Sequence, residues 1–308
     1  MDIAAFCRQS RVLVVAGKGG VGKTTITAAL ARMAAGAGLD VLVVELEGKP
    51  GVATAFGAAE ALAYDAAPLT EERGSVHGRR ITPDDALLEY LADHGMGRIS
   101  KRLVSSGALD VVATAIPGIR DILVLGKIKQ LERAAGADLI LVDAPATGHA
   151  MTFLSSAQGL LDAARSGPVR TQAADVVELL SDPARCQVAL VTLPEEMPVN
   201  EVVEAAYQLE DKVGLTLGPV IVNACLPDEP WLTEDPATAA AAVGVTLTGG
   251  QAEALAAAAR FGARRFALQR EQRTRLAAEL PLPQLIAPFA LADTLGPAEI
   301  DTIAAALG

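Results

Sequence analysis

The densest chemistry in the sequence lies at residues 17–25, which read Gly-Lys-Gly-Gly-Val-Gly-Lys-Thr-Thr. This is the spacing GxxxxGK[ST] intact. Gly17, Gly19, Gly20 and Gly22 let the backbone turn so that successive N–H groups, those of Lys18, Val21 and Thr25 among them, face one anion. Lys23 is placed to bridge the β- and γ-phosphates of a nucleoside triphosphate, and the Thr24 hydroxyl to ligate Mg²⁺. A Gly-rich turn closing a strand–helix junction is the plain alternative. The four fixed positions, in the right context, favour the phosphate cradle. Three acidic positions elsewhere in the sequence bear on it. Asp143 ends an apolar strand, where a carboxylate holds Mg²⁺ through water, and Glu45 and Glu47 follow the second strand. For the two glutamates a polar strand end facing solvent is the alternative.

Such a loop must be carried by a strand and a helix, and the sequence supplies both. Residues 12–16 form a short run rich in β-branched residues, residues 24–35 an Ala/Leu-rich helical stretch ending at Gly36, and residues 41–44 a second buried strand. Strand, helix and strand within about 35 residues read as a βαβ unit on a parallel sheet. Residues 139–142, 188–192 and 219–222 are near-continuous apolar runs, as expected of strands covered on both faces. The fold class is therefore α/β, a doubly wound, mainly parallel sheet. Residues 83–132 and 149–181 read as consecutive helices. Thr82 caps the first of them, with Pro83 at its first position and Asp84 and Asp85 in its first turn. These are expected to form a helical layer inserted on the sheet within one domain spanning residues 1–308. Residues 234–278 are Ala-rich and mostly helical.

Composition narrows the function classes. The chain has 308 residues, 51% of them hydrophobic, enough to bury a large core and too apolar for a disordered chain. A net charge of −11 and only 3% aromatics argue against nucleic acid as a partner, which requires phosphate neutralisation or base stacking. Cys7, Cys186 and Cys225 are few, odd in number and far apart, so neither a zinc site nor a disulfide framework is expected. No basic-then-apolar leader and no run of about 18 apolar residues is present, so the cytoplasm is the expected location.

The motif GKGGVGKTT resembles the deviant P-loop (Walker A) of the branch holding MinD/ParA, nitrogenase iron protein and the arsenite-pump ATPases. In that branch the early lysine, here Lys18, reaches across a dimer interface to the partner's nucleotide, a positive charge delivered in trans as an arginine finger is. Residues 139–149, LILVDAPATGH, resemble the signature D-T-A-P-T-G-H of arsenite-pump and tail-anchored-protein-targeting ATPases at Asp143, Thr147, Gly148 and His149. Further along the chain, Pro117-Gly118-Ile119 resembles the family's PGIDE helix start, and residues 192–197 its T-x-P-E segment. Residues 220–223 resemble the strand ending in the adenine-reading asparagine. Residues 264–276, with Gln269 and Gln272, resemble its Arg/Gln-rich helix, and residues 281–307 its closing strand and helix. The chain is thus identified as similar to ArsA-like ATPases. The resemblance implies an Mg²⁺-dependent ATP-hydrolysing switch. It implies a catalytic set of Lys18, Glu47 and Asp143, Gly148 as a γ-phosphate sensor, and Asn223 and Pro288 at the adenine. It further implies a dimer of two copies, or of this chain with a paralogous ATPase, and a hydrophobic client or membrane-protein partner.

The sequence departs from the family in three places. The first switch reads S-T-D-P-A-H in the family and Glu45-Leu46-Glu47-Gly48-Lys49-Pro50 here, with Glu47 where the water-orienting aspartate falls. The extra methylene moves the carboxylate by about 1 Å, a displacement that can cost roughly 100-fold in rate. The zinc-binding CxxC of the targeting ATPases is absent, and so are the metalloid-sensing cysteines of the pumps. Two other readings follow. One is a hydrolysis-impaired subunit acting structurally beside a paralogue. The other is a MinD/ParA-like positioning ATPase, although residues 300–308 are too short and lack the basic residues of a membrane helix. Residues 122–128 and 151–161 are apolar enough to line a client groove or simply to pack in the core. The arginines at 260, 264, 265, 270, 273 and 275 read as a solvated helix face.

Overall fold

A computed structural model describes residues 3–46, 51–70, 74–93 and 118–308. The chain opens with a short α1 (Ile3–Phe6), then β1 (Val12–Gly17), α2 (Lys23–Gly36), β2 (Val41–Leu46) and a one-turn α3 (Val52–Ala55). Next come β3 (Ala67–Thr70), β4 (Val76–Ile81), α4 (Pro83–Asp93), α5 (Ile119–Ala134) and β5 (Leu139–Ala146). The second half runs α6 (Thr147–Ala163), α7 (Pro168–Ser181), β6 (Cys186–Thr192), α8 (Glu196–Gln208) and β7 (Leu217–Cys225). It finishes with α9 (Pro236–Ala242), α10 (Gly249–Glu279), β8 (Gln284–Pro288) and α11 (Pro297–Leu307).

The strands form one eight-stranded sheet in the order β3-β4-β2-β5-β1-β6-β7-β8. All neighbours are parallel except β3 and β4. Alternation along β1 shows how the sheet is covered. Leu13 and Val15 pack with α2 and α11 on one face, and Val12, Val14 and Ala16 pack with α5–α8 and the end of α10 on the other. Each fully buried Val or Leu in these layers contributes about 1.5–3 kcal/mol of transfer free energy. Helix α2 is Ala-rich because it is enclosed. Ile26, Ala28, Ala29, Leu30 and Ala31 are all at 0% exposure, and α11 lies along it, held by the two-point contact of Arg32 with Asp301 (2.7 and 3.0 Å). The β1 strand is thus fixed at the middle of the sheet, and the Gly-rich loop leaves its carboxyl end, where open parallel sheets bind ligands.

Several expectations meet the structure directly. The five strands read from apolar runs are present, and Thr82 caps α4 by accepting from the Asp85 amide (3.1 Å). Strands β3 and β4 are additions. Gly78, Arg79 and Arg80 interrupt the apolar pattern, yet Arg79 is buried because its guanidinium lies 4.8 Å from the centre of the Tyr64 ring, and a Cβ at Gly78 would collide with Leu69 and Leu62. Helices α4–α7 form the expected layer; residues 94–117, Pro117 included, lie outside the described residues. Of the two alternatives for residues 122–128 and 151–161, core packing holds for most of the apolar positions, with Leu123, Met151 and Leu161 only partly buried. Ile122, Leu125, Ile128, Leu154 and Ala157 are at most 2% exposed, because they face the sheet and one another.

Candidate active site

The loop after β1 is built by positions that only glycine fills. Gly20 and Gly22 have φ of 89° and 87°, and a Cβ at Gly22 would stand 2.2 Å from Asn223 Nδ2. Gly22 is also the N-cap of α2 and leaves the first amides of that helix without a side-chain cap, so they remain available to an anion. Lys23 is 5% exposed and its Nζ donates to the Lys18 carbonyl (2.9 Å), which places the ammonium inside the loop. The start of α6 comes up beside this loop. Gly17 pairs with Ala146 in the β1–β5 register, and Gly148 lies exposed in the first turn of α6.

The candidate metal position is an all-oxygen pair. The Thr24 hydroxyl donates to Asp143 Oδ2 at 2.6 Å, with Asp143 5% exposed within β5, where its pairing with β2 ends. A hydroxyl and a carboxylate next to a phosphate cradle suit a hard, oxygen-seeking cation, so the residues present fit Mg²⁺. Glu47 lies outside the described residues. Glu45 does not: the solvent-facing alternative fails for it, because it is 1% exposed and aligned with Asp143 in the β2–β5 register. Burial raises its pKa above the usual carboxylate value; the amides of Val52 and Gly51 work against that rise, and the neighbouring Asp143 charge adds to it. Sequence reasoning undervalued this residue. Its one sequence signal is that two strands destined to be neighbours, VLVVE and LILVD, both end in an acid.

Lys18 points away from its own loop and forms an ion pair with Glu201 of α8, both side chains partly exposed. Nothing in the α8 sequence marks Glu201 out. On the other side of the loop is a cavity of about 640 Å³ lined by Val21, Thr25, Asn223, Arg265, Phe289 and Leu295, among others. Asn223 sits at its wall. Its Nδ2 donates to the Val21 carbonyl (2.9 Å), and its Oδ1 accepts from the Ala224 amide (2.8 Å), which accompanies a left-handed Ala224 at φ 56°. One amide hydrogen and one lone pair remain for a base edge. Pro288 is placed differently from the expectation. It lines a separate cavity with Cys225, Arg270 and Arg273, while Phe289 and Leu295 face the Asn223 side. Phe289, the residue just after β8, lines the Asn223 cavity instead. Gln269 holds the β7 exit, accepting from the Leu226 amide (2.8 Å).

Comparison with known proteins fits this geometry. The sequence profile of the family described as anion-transporting ATPase (ArsA ATPase) matches residues 10–165 and 165–235, which takes in the loop, both carboxylate-ended strands and Asn223. The chain belongs to the ArsA ATPase family. Among its relatives, the ATPase BagA of Mycobacterium tuberculosis is 39% identical over 225 residues, 70% of this chain and 66% of that protein. The arsenical pump-driving ATPase of Escherichia coli is 28% identical over 217 residues, covering 70% of this chain and 35% of the pump ATPase. The ATPase GET3 of Chaetomium globosum is 28% identical over 148 residues, 48% of this chain and 43% of that one. This ArsA-family chain therefore spans less than two thirds of the length of each of these three relatives.

The cysteines of this ArsA-family chain are buried and unpaired, and among the described residues no cluster of metal-ligating side chains occurs. No described helix is long and apolar enough to cross a membrane. Burial pushes the Cys7 and Cys186 thiols up to about 12 and raises Cys225 as well. At pH 8 the thiolate fraction of the first two is about 10⁻⁴, and the thiolate is the reactive form. A disulfide exchange reagent such as Ellman's is expected to titrate three thiols per chain in denaturant and fewer than one within minutes in native buffer. Rapid native reaction of two or more would contradict this burial.

Proposed function

We propose that the chain is an Mg²⁺-dependent ATP-binding and ATP-hydrolysing switch, and that it acts as a dimer whose nucleotide state is coupled to a client or partner. The observation that carries the reading is the Thr24–Asp143 contact of 2.6 Å, set beside a glycine loop that already encloses the Lys23 ammonium. In the proposed mechanism the loop amides and the α2 N-terminus bind the β- and γ-phosphates, with Lys23 between them. Thr24 and Asp143 would hold Mg²⁺, which when bound neutralises phosphate charge as it develops. Gly148 would contribute its amide to the γ-phosphate, and Glu47 would orient the attacking water. Lys18 would leave Glu201 to meet the nucleotide of the neighbouring subunit. The chain is proposed to work in the cytoplasm as one nucleotide-binding unit, with the α4–α7 layer transmitting its state. The neighbour is a second copy or a paralogous ATPase.

Adenine is expected to be preferred. The free hydrogen and lone pair of the Asn223 amide match the N6 donor and N7 acceptor of adenine, and guanine presents an acceptor at position 6 instead. Calorimetric titration with Mg·ATP and Mg·GTP should show ATP binding about tenfold or more tightly, which is about 1.4 kcal/mol. Phosphate release should then be measured on the chain alone and with any copurifying partner. GTP displacing ATP at equal concentration would overturn the adenine assignment, and absence of any nucleotide binding would overturn the function itself.

A further inference from the structure

Glu45 has more structure around it than a strand end requires. Its Oε2 accepts from two amides, Gly51 (3.1 Å) and Val52 (3.0 Å), at the start of α3. Its Oε1 is buried and finds no hydrogen-bond partner among the described residues. Gly51 in turn lies against the metal end of the loop, since a Cβ built there would stand 2.8 Å from Thr24 Cγ2. Thr24 donates to Asp143, and Asp143 is the register partner of Glu45. The four residues thus close a circuit: Thr24, Asp143, Glu45, Gly51. Two carboxylates at the same level of adjacent strands repel each other, and Arg80, the β4 register partner of Glu45, offsets this only in part. A buried acceptor left unanswered is likewise an unfavourable arrangement until a donor arrives.

We propose that Glu45 is a positioning residue for the divalent cation. Oε1 accepts from a water carried by the cation that Thr24 and Asp143 hold, while Oε2 keeps residues 51 and 52 in place. Cation binding and the position of the chain after β2 are thereby coupled through one side chain. The length of glutamate suits the double duty, because one carboxylate must reach both the α3 amides and the space beside Asp143. The inference rests on the nucleotide-site reading above, and its test separates the two.

The probe is Mn²⁺, followed by electron paramagnetic resonance in the presence of ADP, for the wild type and Glu45→Gln. Glutamine keeps the shape and can still accept from Gly51 and Val52, but it loses the charge. ADP affinity in EDTA is measured alongside. The expected result is Mn²⁺ affinity lowered about tenfold or more, as for other residues that orient a metal's ligands, with metal-free ADP affinity unchanged. In the wild type alone, adding Mg²⁺ to the ADP-loaded protein should slow amide exchange in a peptide containing Gly51 and Val52. Glu45→Gln should lose that slowing. Mn²⁺ affinity within about twofold of wild type, or wild-type exchange indifferent to Mg²⁺, would show Glu45 to be a neutral structural acid and overturn the inference while the nucleotide reading stands. A wild type that binds no ADP would overturn both.

Discussion

Lys18→Ala is expected to lower turnover of the assembled ATPase about 10³-fold, the lower end of what a positive charge supplied in trans contributes to phosphoryl transfer. The isolated protomer should bind ATP as before, because the Lys18 side chain is directed out of its own loop toward Glu201. That cis ion pair does not bar the trans role. Both partners are partly exposed, and such pairs contribute about 0–1 kcal/mol, so a triphosphate from a neighbouring subunit can displace Glu201 readily. Lys18→Arg should restore little, since a planar fork does not replace a compact ammonium in a tight glycine loop. Sedimentation with and without ATP, run beside a phosphate-release assay on the chain plus any copurifying partner, checks the claim. Nucleotide-promoted association and turnover both surviving Lys18→Ala would remove the case for a cross-dimer lysine.

Lys23→Ala should act on binding itself. Its ammonium is enclosed by the loop and anchored on the Lys18 carbonyl, so it occupies the cradle before any phosphate does. Removing it would delete the cation proposed to lie between the β- and γ-phosphates and would leave the amides in place. ATP affinity should fall at least about tenfold, or about 1.4 kcal/mol, in calorimetry. The melting temperature of the nucleotide-free variant, measured alongside, separates this loss of affinity from the loss of the Lys23–Lys18 hydrogen bond. Unchanged ATP affinity would refute the phosphate-binding role of the loop.

Much of this protein is legible without coordinates, and the reason is locality. A phosphate cradle is made by consecutive residues, so the one proposed for residues 17–25 is read from their own spacing, and the strands buried on both faces announce themselves as unbroken apolar runs. Asp143 was legible for the same reason, as an acid closing such a run. The arrangement of the site is a different matter, because it joins segments far apart in the chain. That Glu45 is interior follows only from β2 lying next to β5 in a register that aligns it with Asp143. Lys18 meets Glu201 across 183 residues, and Asn223 clamps Val21 across 202. Strand β4 is hidden in the sequence because its arginine is tolerated by a tyrosine ring outside the strand. Phe289, which follows β8, lines the Asn223 cavity while Pro288 lines the neighbouring one, and no local pattern names which of the two cavities each residue meets. Residue type and spacing determined which chemistry the chain can hold; sheet order and register decided which side chains share it, since those depend on contacts whose partners no local pattern names.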